Sequence, residues 1–574
     1  MTGKGARAAA AALVMVLCLT ACGKSASAGG GNVGGDKSTD SASVPAGSVF
    51  SDETPAENAG EAQQEETLPE LRPLTVTIES AYTSSYDQDN SCLRAISQVE
   101  TVSLSEEDSQ AFPALASALA AENDIVRAAH DETFRSFIAD YESGGIPDAD
   151  MYRQDSGTLS VMRADSRVLS YVSDYYWFGG GVHPDVYYEC ANFDTASGKA
   201  LDFFDVVTDV PGFFDLMEIK LEEEYPGLLD LMDDFDAYRQ ELEDGRSEIR
   251  WTIDSEGVTV YFNTYILGPY AAGRQVIRIG FDEAAVFDPY YTETPEAYII
   301  PFLADTPLYA DIDGDGQREK LALLADYSDP YHVEYAVACG EKTVPLDGGG
   351  YDAELYLVYD GGCYYVYAFV TGENDYSVLH AVDAAAGRVA GDDRRNLYPG
   401  AYTNHWEDTE TGYISCHLRE ALTNPAAMLL MSRTDMMGTQ EVMGRYAVGT
   451  DGAAEALEDW YRYGSTRVLT ARTDIPCIMV DADGRETGSA VIPAGTTLAY
   501  ARTDNESWVD FAETSMDDVT TYGEGDYVSY EKSTPPDLSG VTVFYRLTYD
   551  SLTYPRTIGG VEETTLLGGL MYAG

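Results

Sequence analysis

The chain has 574 residues, of which 35 are Lys or Arg and 98 are Asp or Glu, for a formal net charge of −63. A charge of that size and sign argues against a nucleic-acid ligand and against direct docking on anionic lipid or wall polymer; it leaves a cationic partner, or solubility alone, as its use. The length exceeds what one hydrophobic core organises, so several domains are predicted.

The N-terminus reads as an export signal. Lys4 and Arg7 precede an apolar run, Ala8 to Leu19, that closes on Leu19-Thr20-Ala21-Cys22. The run is too short to span a bilayer of about 30 Å, and small residues before a cysteine match the bacterial lipoprotein pattern, so residues 1–21 are predicted to be a cleaved signal peptide. Cys22 would then carry a diacylglyceryl anchor at the outer face of the cell membrane, each buried methylene contributing about 0.8 kcal/mol. Residues 22–70 are rich in Gly, Ser, Ala, Asp and Glu, too poor in apolar side chains to offset their ordering entropy. They read as a disordered tether with a span of roughly 35–40 Å.

Six cysteines lie beyond Cys22: Cys92, Cys190, Cys339, Cys363, Cys416 and Cys477. None forms a C-x-x-C pair, so a zinc knuckle has little support. Outside the membrane disulfides are permitted. Cys92 with Cys190, and Cys339 with Cys363, could bridge because each pair lies within one predicted domain; reduced, buried thiols are equally consistent.

Residues 71–288 are predicted to form the first folded domain. Leu74-Thr75-Val76-Thr77-Ile78 alternates as a strand, and Phe112, Leu115, Leu119, Val126, Phe134 and Phe137 recur at mostly helical spacing. Further strands are predicted over 158–162, 168–178, 187–193, 258–262 and 275–279, with an acidic helical region near 212–245. Gly179-Gly180-Gly181-Val182-His183-Pro184 is a turn whose glycines permit positive φ and whose proline restrains the exit. Together these make an α+β layer arrangement. The acidic run around Glu222-Glu223-Glu224 is first a solvated helix face, and it would also steer a cationic protein. A lone histidine such as His183 lacks the converging partners of a metal site and more often closes a turn.

Tyr175-Tyr176, Gly180-Gly181-Val182-His183, Asn192-Phe193-Asp194 with Gly198-Lys199, Gly257-Val258 to Tyr261-Phe262, Tyr265, Pro269-Tyr270 and Ala272-Gly273 resemble the extracellular domain of the RsiV family. That family includes lysozyme-sensing anti-sigma factors, and a related domain accompanies some peptidoglycan deacetylases. The resemblance implies recognition of lysozyme, another cationic protein or a peptidoglycan fragment, with Tyr176, Gly180, Gly181, His183, Tyr265 and Tyr270 as candidate ligand-binding residues. The chain departs from the family in carrying a lipid-anchor signal and in lacking both a cytoplasmic anti-sigma segment and the Thr-Phe-Asp-Asp-Gly motif of the deacetylase catalytic domain.

Residues 293–463 read as a mostly-β middle domain. Asp311-Ile312-Asp313-Gly314-Asp315-Gly316-Gln317-Arg318-Glu319 sets carboxylates at alternate positions before a glycine turn, a pattern that lets Asp311, Asp313 and Asp315 converge on Ca²⁺ with Gln317 and Glu319 completing an oxygen shell. Ala322 stands where an EF-hand has its bidentate glutamate, so the loop is similar instead to the calcium loops of extracellular β-repeat proteins. An acidic β-turn that binds nothing tightly is the competing reading. Strands over 334–338, 353–359 and 363–371 suggest a sheet or a partial propeller-like array, and helical tails are predicted at 425–431 and 453–463.

Residues 465–574 carry short strands divided by turns, including Ile475-Pro476-Cys477-Ile478-Met479-Val480 and Trp508-Val509-Asp510-Phe511, in an order that resembles a bacterial SH3-like β-barrel. The chain is thus expected to be multidomain: an α+β domain, a mostly-β domain and an SH3-like barrel. No nucleophile elbow, H-E-x-x-H helix or phosphate loop is present, and no catalytic residue is assigned. The expected function is binding of lysozyme or a wall-derived ligand at the outer membrane face; the alternative is an accessory or cryptic peptidoglycan-modifying enzyme.

Overall fold

The computed structural model describes residues 71–572, apart from 88–91, 144–150, 233, 304–305, 330–331, 373–375, 394–395, 401, 410–411 and 525–526. The predicted signal peptide, Cys22 and the tether lie outside the described residues. Leu71–Gly574 is one compact unit built of several sheets and few helices. Among the described residues no helix is long and apolar enough to cross a membrane.

The first sheet contains β1 (Val76–Tyr86), β2 (Leu93–Leu104), β3 (Arg153–Ala164), β4 (Val168–Phe178) and β5 (Asp185–Asp194) in that order. Alternation buries Leu74, Val76 and Ile78 on one face. Ser105 caps the short helix α1 (Glu106–Ala111) by accepting from the Asp108 amide at 3.1 Å. The Asp108 carboxylate in turn accepts from the Thr75 amide at 2.8 Å, fixing the helix start to β1. Pro113 opens the long helix α2 (Pro113–Glu142), whose buried Leu115, Leu119, Asn123, His130 and Phe137 form its inward stripe. Asn123 bonds both the amide and the carbonyl of Val102, at 3.3 and 2.8 Å, which ties α2 to β2. Because the chain between β2 and β3 crosses through this helix, the two strands pair in parallel.

The second layer follows: α3 (Phe203–Val206), α4 (Val210–Glu224) and α5 (Phe235–Glu243) stand before β6 (Arg250–Ile253), β7 (Gly257–Phe262) and β8 (Gln275–Gly280), a three-stranded antiparallel sheet. Phe213, Phe214, Met217 and Leu221 of α4 pack on Trp251, Ile253, Val258, Val260, Ile277 and Ile279. At helical spacing those four α4 residues are the apolar face, and the acids of the same helix are left to solvent. Ser170 of β4 accepts from the Ile253 amide at 3.1 Å, and Asn192 of β5 donates to the Trp251 carbonyl at 2.9 Å, so this layer is locked to the first sheet.

After α6 (Pro289–Thr292), two sheets pack face to face. One orders β10 (Leu308–Ala310), β11 (Glu319–Asp326), β12 (Glu334–Cys339) and β13 (Lys342–Pro345). The other orders β17 (Arg388–Asp393), β16 (Ser377–Asp383), β15 (Cys363–Thr371), β14 (Asp352–Asp360) and β9 (Tyr298–Pro301). Leu321, Val337 and Val344 meet Leu357, Val366 and Val382 in a shared core. A sandwich therefore stands where a propeller-like array was one expectation.

The hairpin β18 (Tyr402–Thr409) and β19 (Gly412–Glu420) then returns to the first sheet, pairing β19 with β1 from Thr77↔Glu420 to Ser85↔Gly412. Gly412 is required there by close approach, since a Cβ would lie 1.8 Å from the Ser84 carbonyl oxygen. The predicted helical tails are corrected. Met428–Thr434, Ala454–Ala456 and Tyr461–Tyr463 are strands, because Met428 and Leu430 bury one face of an antiparallel pair with Gln440–Val448 and tertiary pairing overrides local helix propensity.

Apart from the small two-stranded pair Thr557–Ile558 and Val561–Glu562, the remaining strands join one large sheet whose path runs from Met428–Thr434 to Glu486–Ile492. It closes into no barrel among the described residues. Strands from residues 428–463 prolong the sheet beyond the segment for which a barrel was expected, so its edges stay open. Its fully buried Asp510 lies between Arg502 (2.8 Å) and Arg546 (2.7 Å), and Arg546 in turn covers the Trp508 ring at 3.7 Å. Cys190, Cys339, Cys363, Cys416 and Cys477 are thiols, so Cys92 is not bridged to Cys190 nor Cys339 to Cys363, and of the two readings left open the reduced one holds for these pairs.

Candidate functional site: an aromatic rim and an aspartate loop

Two connections meet at one end of the first two layers. The β4–β5 turn carries Gly180, with φ +88°, then Gly181, Val182 and His183. The β7–β8 connection carries Tyr265 and Tyr270. Asn263 fastens the second to the first: its Oδ1 accepts from the Tyr188 amide at 2.7 Å and its Nδ2 donates to the Tyr188 carbonyl at 3.1 Å. Beside it, Arg274 forks onto Asp174 at 2.5 and 3.1 Å and covers the Tyr188 ring at 3.9 Å. This bracket is bidentate and partly buried, the geometry in which such pairs hold orientation well.

On that support the rings assemble. Tyr270 donates its hydroxyl to the Pro184 carbonyl at 2.9 Å, and the same oxygen lies 2.9 Å from His183 Nδ1, which places the donor proton on Nδ1. The His183 ring stacks on Tyr270 with centroids 3.9 Å apart, and Tyr265 lies 5.7 Å from Tyr270. Tyr265 adopts φ +71°, a left-handed backbone unusual for a tyrosine, and it is 60% exposed, while Val182 beside His183 is 99% exposed. The structure thus brings His183, Tyr265 and Tyr270 into one solvent-facing rim with Gly180 and Gly181 in the turn that carries it. Tyr176 is placed apart, half-buried in β4 opposite Val186 and Ser156. Among the described residues no carboxylate forms an ion pair with His183, and its partners, the Pro184 carbonyl and the Tyr270 and Tyr265 side chains, are those of a turn histidine. The Asn263 and Arg274 brackets were not anticipated; their partners lie 75 and 100 residues away, and nothing local marks them.

In the aspartate loop, ligand oxygens of Asp311, Asp313 and Asp315 all lie within 4.8 Å of one another. Gly314 and Gly316 take φ +76° and +85°, so the backbone folds its amides inward. Asp311 accepts from Gly314, Asp315 and Gly316 amides at 2.8, 3.0 and 3.0 Å. Gln317 and Glu319 stand outside this cluster. Gln317 donates through its side chain to Asp315 at 3.3 Å, and Glu319 closes the loop by accepting from the Ile312 amide at 3.0 Å. Arg318 turns away to reach Asp282 at 2.6 Å and Glu256 at 3.2 Å in the three-stranded layer.

A model of the family described as a protein of unknown function, DUF3298, matches residues 225–282, from the end of α4 through β8. No curated protein matches the chain. Among solved structures, a DUF3298 family protein of Pseudomonas aeruginosa PAO1 is similar at 15% identity, covering 39% of this chain and 99% of that one with a TM-score of 0.27. A DUF3298 family member of Bacteroides fragilis NCTC 9343 is 17% identical, covering 38% and 94% with a TM-score of 0.25.

Proposed function

We propose that this chain is a lipid-anchored binding protein of the outer membrane face, and that its DUF3298-containing layer, with the RsiV-like features of its sequence, recognises lysozyme or a wall-derived ligand. The observation that carries the reading is the rim. Three aromatic rings and Val182 are held in solvent by a bracket of partly buried hydrogen bonds, and preorganised aromatic side chains are what interface hot spots are made of. The net charge of −63 supports a cationic partner and predicts fast, salt-dependent association. Calorimetric titration of the full chain with hen lysozyme should give saturable binding that persists at physiological salt. Tyr265→Ala is expected to weaken it by about tenfold or more, the scale of a 1.4 kcal/mol loss. Binding confined to low salt, or unchanged by Tyr265→Ala, sinks the lysozyme reading.

The aspartate loop is proposed to hold Ca²⁺ through Asp311, Asp313 and Asp315, with carbonyl or water oxygens completing the shell. Three carboxylates within reach of one point fit a hard cation, and the two positive-φ glycines let the loop close around it. At an affinity of about 1 mM, typical of extracellular modules, 10 mM calcium would stabilise the fold by about 1.4 kcal/mol. The expected result is a higher melting temperature in calcium than in chelator, a difference abolished by Asp313→Ala. Equal melting in both would leave the loop as a plain acidic turn.

A further inference from the structure

A cavity of about 430 Å³ lies away from the rim, between the edge strand β8 and the edge strand β10 of a different sheet. Its floor is the outer edge of β8. Val276 turns its amide and carbonyl outward, since both are held by the Tyr225 hydroxyl at 3.0 and 3.2 Å. Gly280 turns its amide outward to the Glu283 carboxylate at 2.8 Å. In an antiparallel pair the outward row repeats every second residue, so the Arg278 amide and carbonyl, between those two, face the cavity as well. Among the described residues neither has a hydrogen-bond partner. An edge strand normally hides such groups; here the flanking positions are capped and one donor–acceptor pair is left open inside a pocket.

The walls say what kind of ligand suits it. In a chain with almost three acids per base, the lining holds Lys220, Arg278 and Arg318 against Glu224, Asp282 and Glu283. Each already has a partner. Lys220 meets Glu283 at 2.7 Å, Arg318 meets Asp282 at 2.6 Å, Arg278 is held by the buried Asp254, and Glu224 accepts from Tyr309. A ligand with net charge would have to break these pairs, whereas an uncharged one leaves them intact.

We propose that this cavity is a binding site for a short, uncharged stretch of extended peptide, roughly three small residues long, which adds to β8 by exchanging both main-chain hydrogen bonds with Arg278. The proposal is independent of the aromatic rim. Recognition through the backbone makes a specific demand: the ligand residue opposite Arg278 must keep its own N–H.

The probe is acetyl-Ala-Ala-Ala-amide, followed by saturation-transfer NMR on the full chain, with hydrogen exchange of the segment covering residues 275–280 read in parallel. Saturable signal up to about 10 mM peptide is expected, together with slower exchange of that segment. Methylation of the central peptide nitrogen should weaken binding at least fivefold, and Thr306→Trp, which fills the cavity from the opposite wall, should abolish it with melting temperature unchanged. Absence of saturable binding, or equal binding of the methylated peptide, overturns the proposal. If Thr306→Trp fails to fold, the methylated peptide decides the matter alone, because that comparison uses the unaltered chain.

Discussion

Raising the pH through 10 should unfold this protein in one steep transition. The chain has 42 tyrosines against 18 phenylalanines, and many serve as core residues: Tyr171, Tyr175, Tyr261, Tyr356, Tyr367 and Tyr500 are all less than 10% exposed. Burial pushes the Tyr175 phenol up to about 12 and the other five further, because a phenolate would lose its hydration inside the core. The unfolded chain releases these protons near pH 10, while the folded chain keeps them. Stability is therefore complete below pH 10 and falls as pH rises toward and past 12. Each group withdraws about 1.4 kcal/mol per pH unit in that window, so six together withdraw roughly 8 kcal/mol per unit. A fold stabilised by about 5–15 kcal/mol would not survive two units of such a slope. Growing negative charge on an already acidic chain acts in the same direction. Phenolate absorbance and circular dichroism should change together between pH 10 and 12. Smooth ionisation with the dichroism intact at pH 12 would mean that these phenols titrate without unfolding, contrary to their burial.

Replacing Asp254 by Ala is expected to cost about 3–5 kcal/mol, the range for leaving one charge of a buried pair alone. Asp254 is fully buried, and its partner Arg278 has a side chain only 5% exposed. One carboxylate oxygen accepts from the amides of Glu256 and Gly257, at 2.7 and 3.1 Å, as well as from Arg278 at 2.5 Å. The residue thus shapes the β6–β7 turn and neutralises the arginine on β8 together, and alanine would orphan all three donors. The measurement is urea unfolding followed by circular dichroism. Adding Arg278→Met to Asp254→Ala should recover about 1–2 kcal/mol, since an apolar side chain of similar length removes the stranded charge. A loss below about 1 kcal/mol for the single variant would show that water reaches the guanidinium once the carboxylate is gone.

The difference between what was legible and what was not follows the range of the interactions. The strand around Val76, the helix α2 and the aspartate loop were visible because their signals are local: alternation, helical spacing, and three carboxylates before a glycine turn. The residues of the rim were marked by motif, yet their meeting depends on Asn263 and Arg274, whose partners lie 75 and 100 residues away. Residues 425–431 carry a helix-favouring composition and nevertheless supply a strand, because a pairing partner at Gln440–Val448 offered burial for Met428 and Leu430 that an isolated helix could not. The same holds for the hairpin Tyr402–Glu420, which completes a sheet begun more than three hundred residues before it.

What the sequence by itself determined is the charge, the local periods and the loop that gathers three aspartates, all properties of residues a few positions apart. The tertiary structure alone decided which edges stay open, where the aromatic rings meet and which arginines are buried beside which acids. Those outcomes depend on burial shared between distant segments, and no local pattern encodes the partner with which a strand will share its core.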